Sequence, residues 1–459
     1  MSQLGLAEAA RRMRERGLDD RAVAVFTDYY HQLESGAQGT IPEESIEPLA
    51  DLPHLEAVDA DGAERAAALR QVVVIKLNGG LGTGMGLAGA KSALPVRDGL
   101  TFLDVIARQV LALRAQYAAP LPLIFMNSFR TAQETEAILA AYPDLPVPGL
   151  PLGFLQSAEP KLRVDDLSPV DWPANPELEW CPPGHGDVYL SLARTGLLDA
   201  LRGMGIRYAF LSNADNLGAT CDPDIAAWLV REQVPYLAEV CTRTVNDRKG
   251  GHLARRRSDG RIVLRDNAMV VPGEEHFFAD ETRHGTFHAN NLWVDLDVMA
   301  RMLEDRDGVL GLPIIVNRKT VDPTDKASTK VVQIECAMGT AIEAIDGSRA
   351  MHVPRTRFRP VKTTNELTLV RSDLFRFEPD WRLSATTDRP EPLVDLSSEF
   401  AFMSDFERRF PAGVPSLHAC DSLRVRGDVT FGAGVVCQGD VLVQGPTAVP
   451  DGAVLSSGG

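Results

Sequence analysis

The sequence predicts an α/β chain built on a parallel, Rossmann-like sheet and closed by a small C-terminal β unit. The α/β assignment rests first on short, unbroken apolar runs, VVVI at 72–75 and PLIFM at 122–126. Runs of that length suit strands buried on both faces of a parallel sheet. It rests second on the segments after these runs. TFLDVIARQVLALRAQY from 101 and TAQETEAILAAY from 131 carry apolar residues at helical spacing, so strand and helix alternate. The third observation is a change of texture from about Ser416. GDV at 427–429 returns at 439–441 among alternating valines and glycines, which reads as a few coils of a β-solenoid or a small β-meander.

Along the chain, Leu4, Ala7, Ala10 and Met13, then Val23, Phe26 and Tyr30, space residues 3–35 as helix. From Gly36 to about Ala63 the chain is acidic and broken by prolines, a loop-rich lead-in. The strand at 72–75 runs into a glycine-rich loop, and YAFLSNADN at 208–216 repeats the pattern of strand then polar loop.

At 459 residues, 44% hydrophobic and 24% charged, the chain has room for two to three domains with large cores. A formal net charge of −16 repels polyphosphate strands and argues against nucleic acid as a partner. A small anionic substrate is compatible with it, provided that positive charge is supplied locally. The six cysteines are scattered without a CxxC pair, as in a reduced cytosolic protein. The N-terminus has no apolar signal core and no run approaches the ~18 residues of a membrane span, so a soluble cytoplasmic protein is expected.

The central motif is VVVIKLNGGLGTGMGLAGAKS, residues 72–92, with glycines at 79, 80, 82, 84, 86 and 89 and Lys91 at its end. Such a loop brings backbone N–H groups close to a ligand, and the lysine adds a full charge, so a phosphate chain is the natural guest. A P-loop requires GxxxxGK[ST], which Ala90 before Lys91 breaks. The GxGxxG at Gly84, Gly86 and Gly89 starts seven residues past Leu77 rather than in the first turn after the strand.

LNGGLGTGMGLAGAKS resembles the signature of the eukaryote-type UTP–glucose-1-phosphate uridylyltransferases, commonly LNGGLGTSMGxxGPKS. FMNSF (125–129), LQSAEPKL (155–162), PPGHGD (182–187), SNADNL (212–217), KGG (249–251), ANNLW (289–293), VVQIECAMGTAI (331–342) and PVKTTNELTLVRSDLF (360–375) resemble further family blocks in the family's order. The related UDP-N-acetylhexosamine and broad UDP-sugar enzymes usually carry GTRLG, and GTGMG here favours the glucose-1-phosphate branch. Ala90 stands where the family usually has proline, Gly84 where it has serine, and Arg130 where asparagine comes after FMNSF.

The resemblance implies a GT-A-like nucleotidyltransferase domain with a mixed, mostly parallel sheet and a C-terminal β-helix-like domain. The expected organisation is an N-terminal helical and loop segment at 1–68, a catalytic domain at 69–376, a linker at 377–415 and the β unit at 416–459. It implies Mg²⁺-dependent transfer of a uridylyl group from UTP to glucose 1-phosphate, giving UDP-glucose and pyrophosphate. Lys91, Lys362 and Asp215 are the expected catalytic residues, with Asp215 holding the metal. Asp215 lies just past an apolar run, where a carboxylate at a strand's carboxyl end can hold Mg²⁺. Leu77, Gly79, Gly80, Gly82, Met126, Gln156, Gly184 and Asn213 are expected at the nucleotide, the Gln156 amide matching the uracil edge. His185, Gly251, Asn290, Asn291 and Glu335 are expected at the sugar phosphate. Strand alternation through HGTFHANNLWVDL puts Asn290 and Asn291 on opposite faces, so one of the two touches sugar.

Other readings remain beside this one. The same fold with another sugar 1-phosphate, such as galactose 1-phosphate, is the near alternative. An NAD-dependent oxidoreductase rests on the GxGxxG alone, and a non-catalytic nucleotide sensor would not need both Lys91 and Asp215. His284 and His288 are four apart, but Gly285, Thr286 and Phe287 between them argue for a strand, so a plain sheet surface is expected rather than zinc. The basic run RKGGHLARRR (248–257) reads as a solvated loop or a patch that draws in anions. The C-terminal segment is short, and the oligomeric state stays open.

Overall fold

A computed structural model describes residues 2–36, 39–244, 247 and 250–456. Its organising element is a seven-stranded sheet. The strands are β1 (Val72–Asn78), β2 (Leu123–Asn127), β3 (Gly153–Leu155), β4 (Tyr208–Asn213), β5 (Tyr236–Thr242), β6 (Thr286–Asp295) and β7 (Arg349–His352). Their order across the sheet is β7-β5-β6-β4-β1-β2-β3. β4, β1, β2 and β3 run parallel, as do β7 and β5, and β6 lies antiparallel to both of its neighbours. The sheet is therefore mixed and mostly parallel, as the family resemblance implied.

Every residue of β1 is buried, which accounts for its unbroken apolar run. Val72 and Val74 join Phe102, Ile106 and Phe210 in one core. Val73, Ile75 and Leu77 join Phe26 and Tyr30 in the other. The helices α1 (Ser2–Glu15) and α2 (Asp20–Glu34) fulfil the helical reading of residues 3–35, and α2 supplies those two aromatics. The helix after β1, α3 (Phe102–Tyr117), starts where the sequence allows it to. The Thr101 hydroxyl accepts from the Asp104 N–H at 3.1 Å and the Asp104 carboxylate accepts from the Thr101 N–H at 2.8 Å. The short helix α4 (Ala132–Leu139) comes after β2.

Residues 377–415 differ from the linker that was expected. Leu393–Leu396 is a strand paired in parallel with Ser416–Arg426, and Met403–Arg409 is a helix. Val394, Phe400, Phe406 and Phe410 lie in the same buried cluster as Val74 and Phe102. The apolar side chains of this segment are separated by charges and prolines, and the strand that pairs with it lies further along the chain, so its order is invisible locally. The C-terminal strands Ser416–Arg426, Val436–Gln444 and Val454–Ser456 pair in parallel throughout, as do Val429–Phe431 and Thr447–Val449. A meander is antiparallel by construction, so that alternative falls.

Two smaller expectations are corrected. In the basic run, His252–Arg256 is a strand between Ile46–Pro48 and Ile262–Arg265, not a loop. Arg256 pairs with Asp259 and Glu343, and Arg257 with Glu47, so those charges are neutralised locally instead of projecting as a patch. Arg248 and Lys249, the latter part of KGG, lie outside the described residues. His284 and His288 are buried rather than on a sheet surface. His284 bonds Glu43 at 3.0 Å and stacks on His252 with centroids 3.9 Å apart. No helix among the described residues is long and apolar enough to cross a membrane.

Candidate active site

The carboxyl ends of β4, β1, β2 and β3 open on one cleft of about 280 Å³. It is lined by Leu77, Gly79, Gly80, Lys91, Met126, Gln156, Gly184, His185, Asn213, Asp215 and Glu335, all singled out by the sequence. Carboxyl ends of parallel strands are where open α/β sheets hold ligands, because the connecting loops diverge there. Ser92 also lines the cleft and was missed, although its place directly after Lys91 was the available signal. Its hydroxyl is buried without a hydrogen-bond partner.

The glycine loop folds back on itself. A bridge joins Leu81 to Ala90, and the Lys91 N–H donates to the Gly80 carbonyl at 3.2 Å. Glu134 on α4 accepts from the Ala90 N–H at 2.7 Å, and a Cβ at Gly89 would collide with that carboxylate. This closure returns Lys91 to the end of β1, next to the residues that left it. Gly82 does not line the cleft, contrary to expectation. It is buried, and a Cβ there would collide with Leu87.

The Lys91 ammonium meets the Asp215 carboxylate at 2.7 Å, with the two side chains 16% and 17% exposed. The other Asp215 oxygen, Oδ1, is buried and has no partner. A buried carboxylate oxygen without a donor is costly unless a cation or a proton meets it. A hard divalent cation that shares its shell with phosphate oxygens fits this position chemically.

Lys362 is exposed and outside the cleft lining, but the chain before it is stitched to the Asp215 segment. The Val361 N–H donates to the Asp215 carbonyl at 3.1 Å, and the Arg359 N–H to the Asn216 side chain at 2.8 Å. Arg357, buried, pairs with Glu239 at 2.6 Å and anchors this stretch below. Lys362 is thus held beside the cleft, close enough for its charge to act on His185.

His185 Nδ1 accepts from the Met338 N–H at 2.9 Å, so the neutral ring carries its proton on Nε2. Burial first, and then Lys362, hold its pKa down at about 4. Burial also holds His288 at about 4, with His185 adding to it, and His252 at about 2, with His284 adding to it. Unfolding releases these rings toward the ordinary histidine value near 6.5, so between about 6.5 and 4 the unfolded chain binds more protons. Their contribution to stability is fully present above about pH 6.5 and is lost as pH falls through the folded values. Urea midpoints measured from pH 7 down to pH 4 should fall steadily, and a flat profile would contradict the buried neutral rings.

At the other end, the Gln156 N–H donates to the Asn127 carbonyl at 2.9 Å and brings the side-chain amide over Gly79. Gln156 Nε2 is buried without a partner, and a Cβ on Gly79 would stand 2.6 Å from it. Gly184 has φ of 83°, and a Cβ there would lie 2.5 Å from the Cys336 carbonyl oxygen. Gly184→Ala is expected to cost about 2 kcal/mol of stability from backbone strain and this collision. Thermal unfolding reads the loss, and an unchanged midpoint would show that the loop relaxes freely.

Gly251, Asn290 and Asn291 do not line the cleft. The Gly251 carbonyl accepts from the His288 N–H at 2.9 Å, which places it against the start of β6. Asn290 breaks the expected alternation: its φ is 55°, where the pairing of β6 with β5 shifts register. Its amide reaches Asn213 at 3.3 Å, toward the cleft. Asn291 is fully buried and donates to Glu239 at 3.0 Å and to the Arg357 carbonyl at 3.3 Å. Of the two asparagines, only Asn290 is directed at a lining residue.

Comparison with known proteins identifies relatives over nearly the whole chain. A family model described as UTP–glucose-1-phosphate uridylyltransferase matches residues 23–438. The UTP–glucose-1-phosphate uridylyltransferase of Solanum tuberosum is 39% identical over 425 residues, covering 91% of this chain and 85% of that protein. The Saccharomyces cerevisiae enzyme of the same name is 36% identical over 460 residues, covering 98% and 90%. Among solved structures, the Leishmania major UDP-glucose pyrophosphorylase described in open and closed forms superimposes with a TM-score of 0.92 at 39% identity, covering 99% and 98%. A variant of the Leishmania major enzyme solved in complex with UDP-glucose gives 0.91 at 39% identity, with the same coverage.

Proposed function

The chain belongs to the UTP–glucose-1-phosphate uridylyltransferase family, and from that premise we propose how its cleft carries out the family's reaction. It is a nucleotidyltransferase that makes UDP-glucose and pyrophosphate from UTP and glucose 1-phosphate. A phosphate oxygen of glucose 1-phosphate forms a bond to the α-phosphorus of UTP. The bond from that phosphorus to the bridging oxygen breaks, and pyrophosphate leaves with the electron pair. Such a transfer needs alignment and counter-charge rather than a covalent protein intermediate.

The observation that carries the reading is the ion pair of Lys91 with Asp215, set across the glycine loop and leaving one buried carboxylate oxygen unpartnered. Lys91 neutralises the UTP phosphates and the departing pyrophosphate, and Lys362 meets the phosphates from the cleft's rim. Asp215 holds Mg²⁺, which when bound supplies further charge neutralisation to the phosphates. Leu77, Gly79, Gly80, Met126, Gln156, Gly184 and Asn213 hold the nucleotide, with the free Gln156 amide reading the uracil edge. His185, through its Nε2–H, contacts the sugar phosphate, while Glu335 and Asn290 serve the hexose. Asn291 and Gly251 support that wall rather than touching sugar. The parallel C-terminal strands support a short β-solenoid, and the mixed sheet supports a GT-A-like domain.

The oxidoreductase alternative finds no support. After Gly84, Gly86 and Gly89 comes a one-turn helix at Lys91–Ala93, not the long helix whose N-terminus a dinucleotide pyrophosphate needs. The test is pyrophosphate release from purified protein with Mg²⁺ and a panel of nucleoside triphosphates and sugar 1-phosphates. UTP with glucose 1-phosphate is expected to be the fastest pair. Release with no pair would refute the transferase reading, and release with galactose 1-phosphate alone would correct the sugar.

A further inference from the structure

We propose that His54, Glu56 and His352 form a second metal site, for a divalent transition metal of the zinc type, at the β7 edge of the sheet. One ligand atom from each of the three lies within 4.8 Å of the others, the one such trio among the described residues. Backbone structure holds them there. The His352 N–H donates to the Pro53 carbonyl at 2.8 Å, and a parallel bridge joins His54 to His352. The one-turn helix Leu55–Ala57 then brings Glu56 round to the same side. The two imidazole centroids are 4.6 Å apart.

The state of His352 is a second, independent observation. Its Nε2 sits 2.9 Å from the Thr242 hydroxyl, while Nδ1 is buried with no hydrogen-bond partner. In the tautomer that donates its Nε2–H to that hydroxyl, Nδ1 keeps a lone pair for a cation, as in metal-ligating histidines whose other ring nitrogen bonds a fixed oxygen.

Two nitrogens and one carboxylate oxygen suit zinc and its neighbours, with a fourth position left for water. Magnesium prefers an all-oxygen shell and is a poor match. The site is also distinct from the reaction centre. β7 is the outer strand and β1 stands four strand spacings away, roughly 19 Å at about 4.8 Å each. A metal there would clamp the lead-in segment to the strand whose continuation reaches Lys362.

The test uses the full chain, stripped with chelator and then titrated with Zn²⁺ by calorimetry and with Co²⁺ by visible absorption, in excess Mg²⁺ to occupy Asp215. One equivalent of Zn²⁺ is expected, with tetrahedral-type Co²⁺ absorption and a raised thermal midpoint. His54→Ala and Glu56→Gln, both at exposed positions, should each weaken binding at least about tenfold and abolish the midpoint shift. His352→Ala should do the same, and the two exposed variants decide the matter if that one fails to fold. Absence of one-equivalent binding in the wild type, weak binding at many equivalents, or unchanged affinity in His54→Ala would each overturn the proposal.

Discussion

Lys91→Ala is expected to lower turnover by more than about a hundredfold in a protein that still folds, the scale of losing a positioned electrostatic group. The loop's course does not depend on the side chain. The Lys91 N–H to Gly80 bond, the Leu81–Ala90 bridge and the Glu134 bond to the Ala90 N–H all remain. What disappears is the one ammonium that lines the cleft among the described residues. The Asp215 carboxylate, which it meets at 2.7 Å, is then left with no partner on either oxygen. A stability loss of about 1–3 kcal/mol should accompany the variant. Measurement of kcat at saturating substrates, with circular dichroism to confirm folding, checks both effects. Near-normal turnover would remove Lys91 from the reaction.

Asp215→Asn is expected to lose turnover on the same scale, with a different signature. The amide keeps the shape and one oxygen but cannot neutralise a cation, so the Mg²⁺ concentration for half-maximal rate should rise as kcat falls. If only kcat falls and the Mg²⁺ dependence is unchanged, Asp215 acts by positioning Lys91 and not by holding metal. The double variant Lys91→Ala/Asp215→Asn should lose much less than the product of the single effects, because the two groups contact each other and stabilise the same charge. Full additivity would mean that the ion pair is not a working unit.

How much of this was legible depends on whether the cause was local. β1 could be recognised because a strand covered on both faces must be apolar at every position, and Val72 to Ile75 are. α3 was legible from its apolar period, and Thr101 with Asp104 marks its start. The glycine loop, Lys91 and Asp215 announced phosphate chemistry through residue type and spacing. Residues 377–415 were misread because their order comes from pairing with Ser416–Arg426 and packing in the main core, and neither leaves a periodic trace. That Gly82 stands outside the cleft lining while Gly79 and Gly80 lie in it follows from the fold of the loop and not from the motif. Asn290 and Asn291 could not be separated from alternation, since a left-handed residue at a register shift suspends the period of two.

The amino-acid sequence by itself determined the family, the chemistry and most of the residues that line the cleft. Those stem from residue identity and short-range pattern, which the chain carries wherever it folds. The tertiary structure alone decided that Lys91 reaches Asp215, 124 positions away, and that the Val361 N–H ties the segment carrying Lys362 to the Asp215 backbone carbonyl. It also decided that Asn290, and not Asn291, reaches the lining residue Asn213, and that His54 meets His352. These are distances between residues remote in sequence. They are set by the order in which parallel strands assemble and by the backbone bonds that join their loops, quantities that no local pattern encodes.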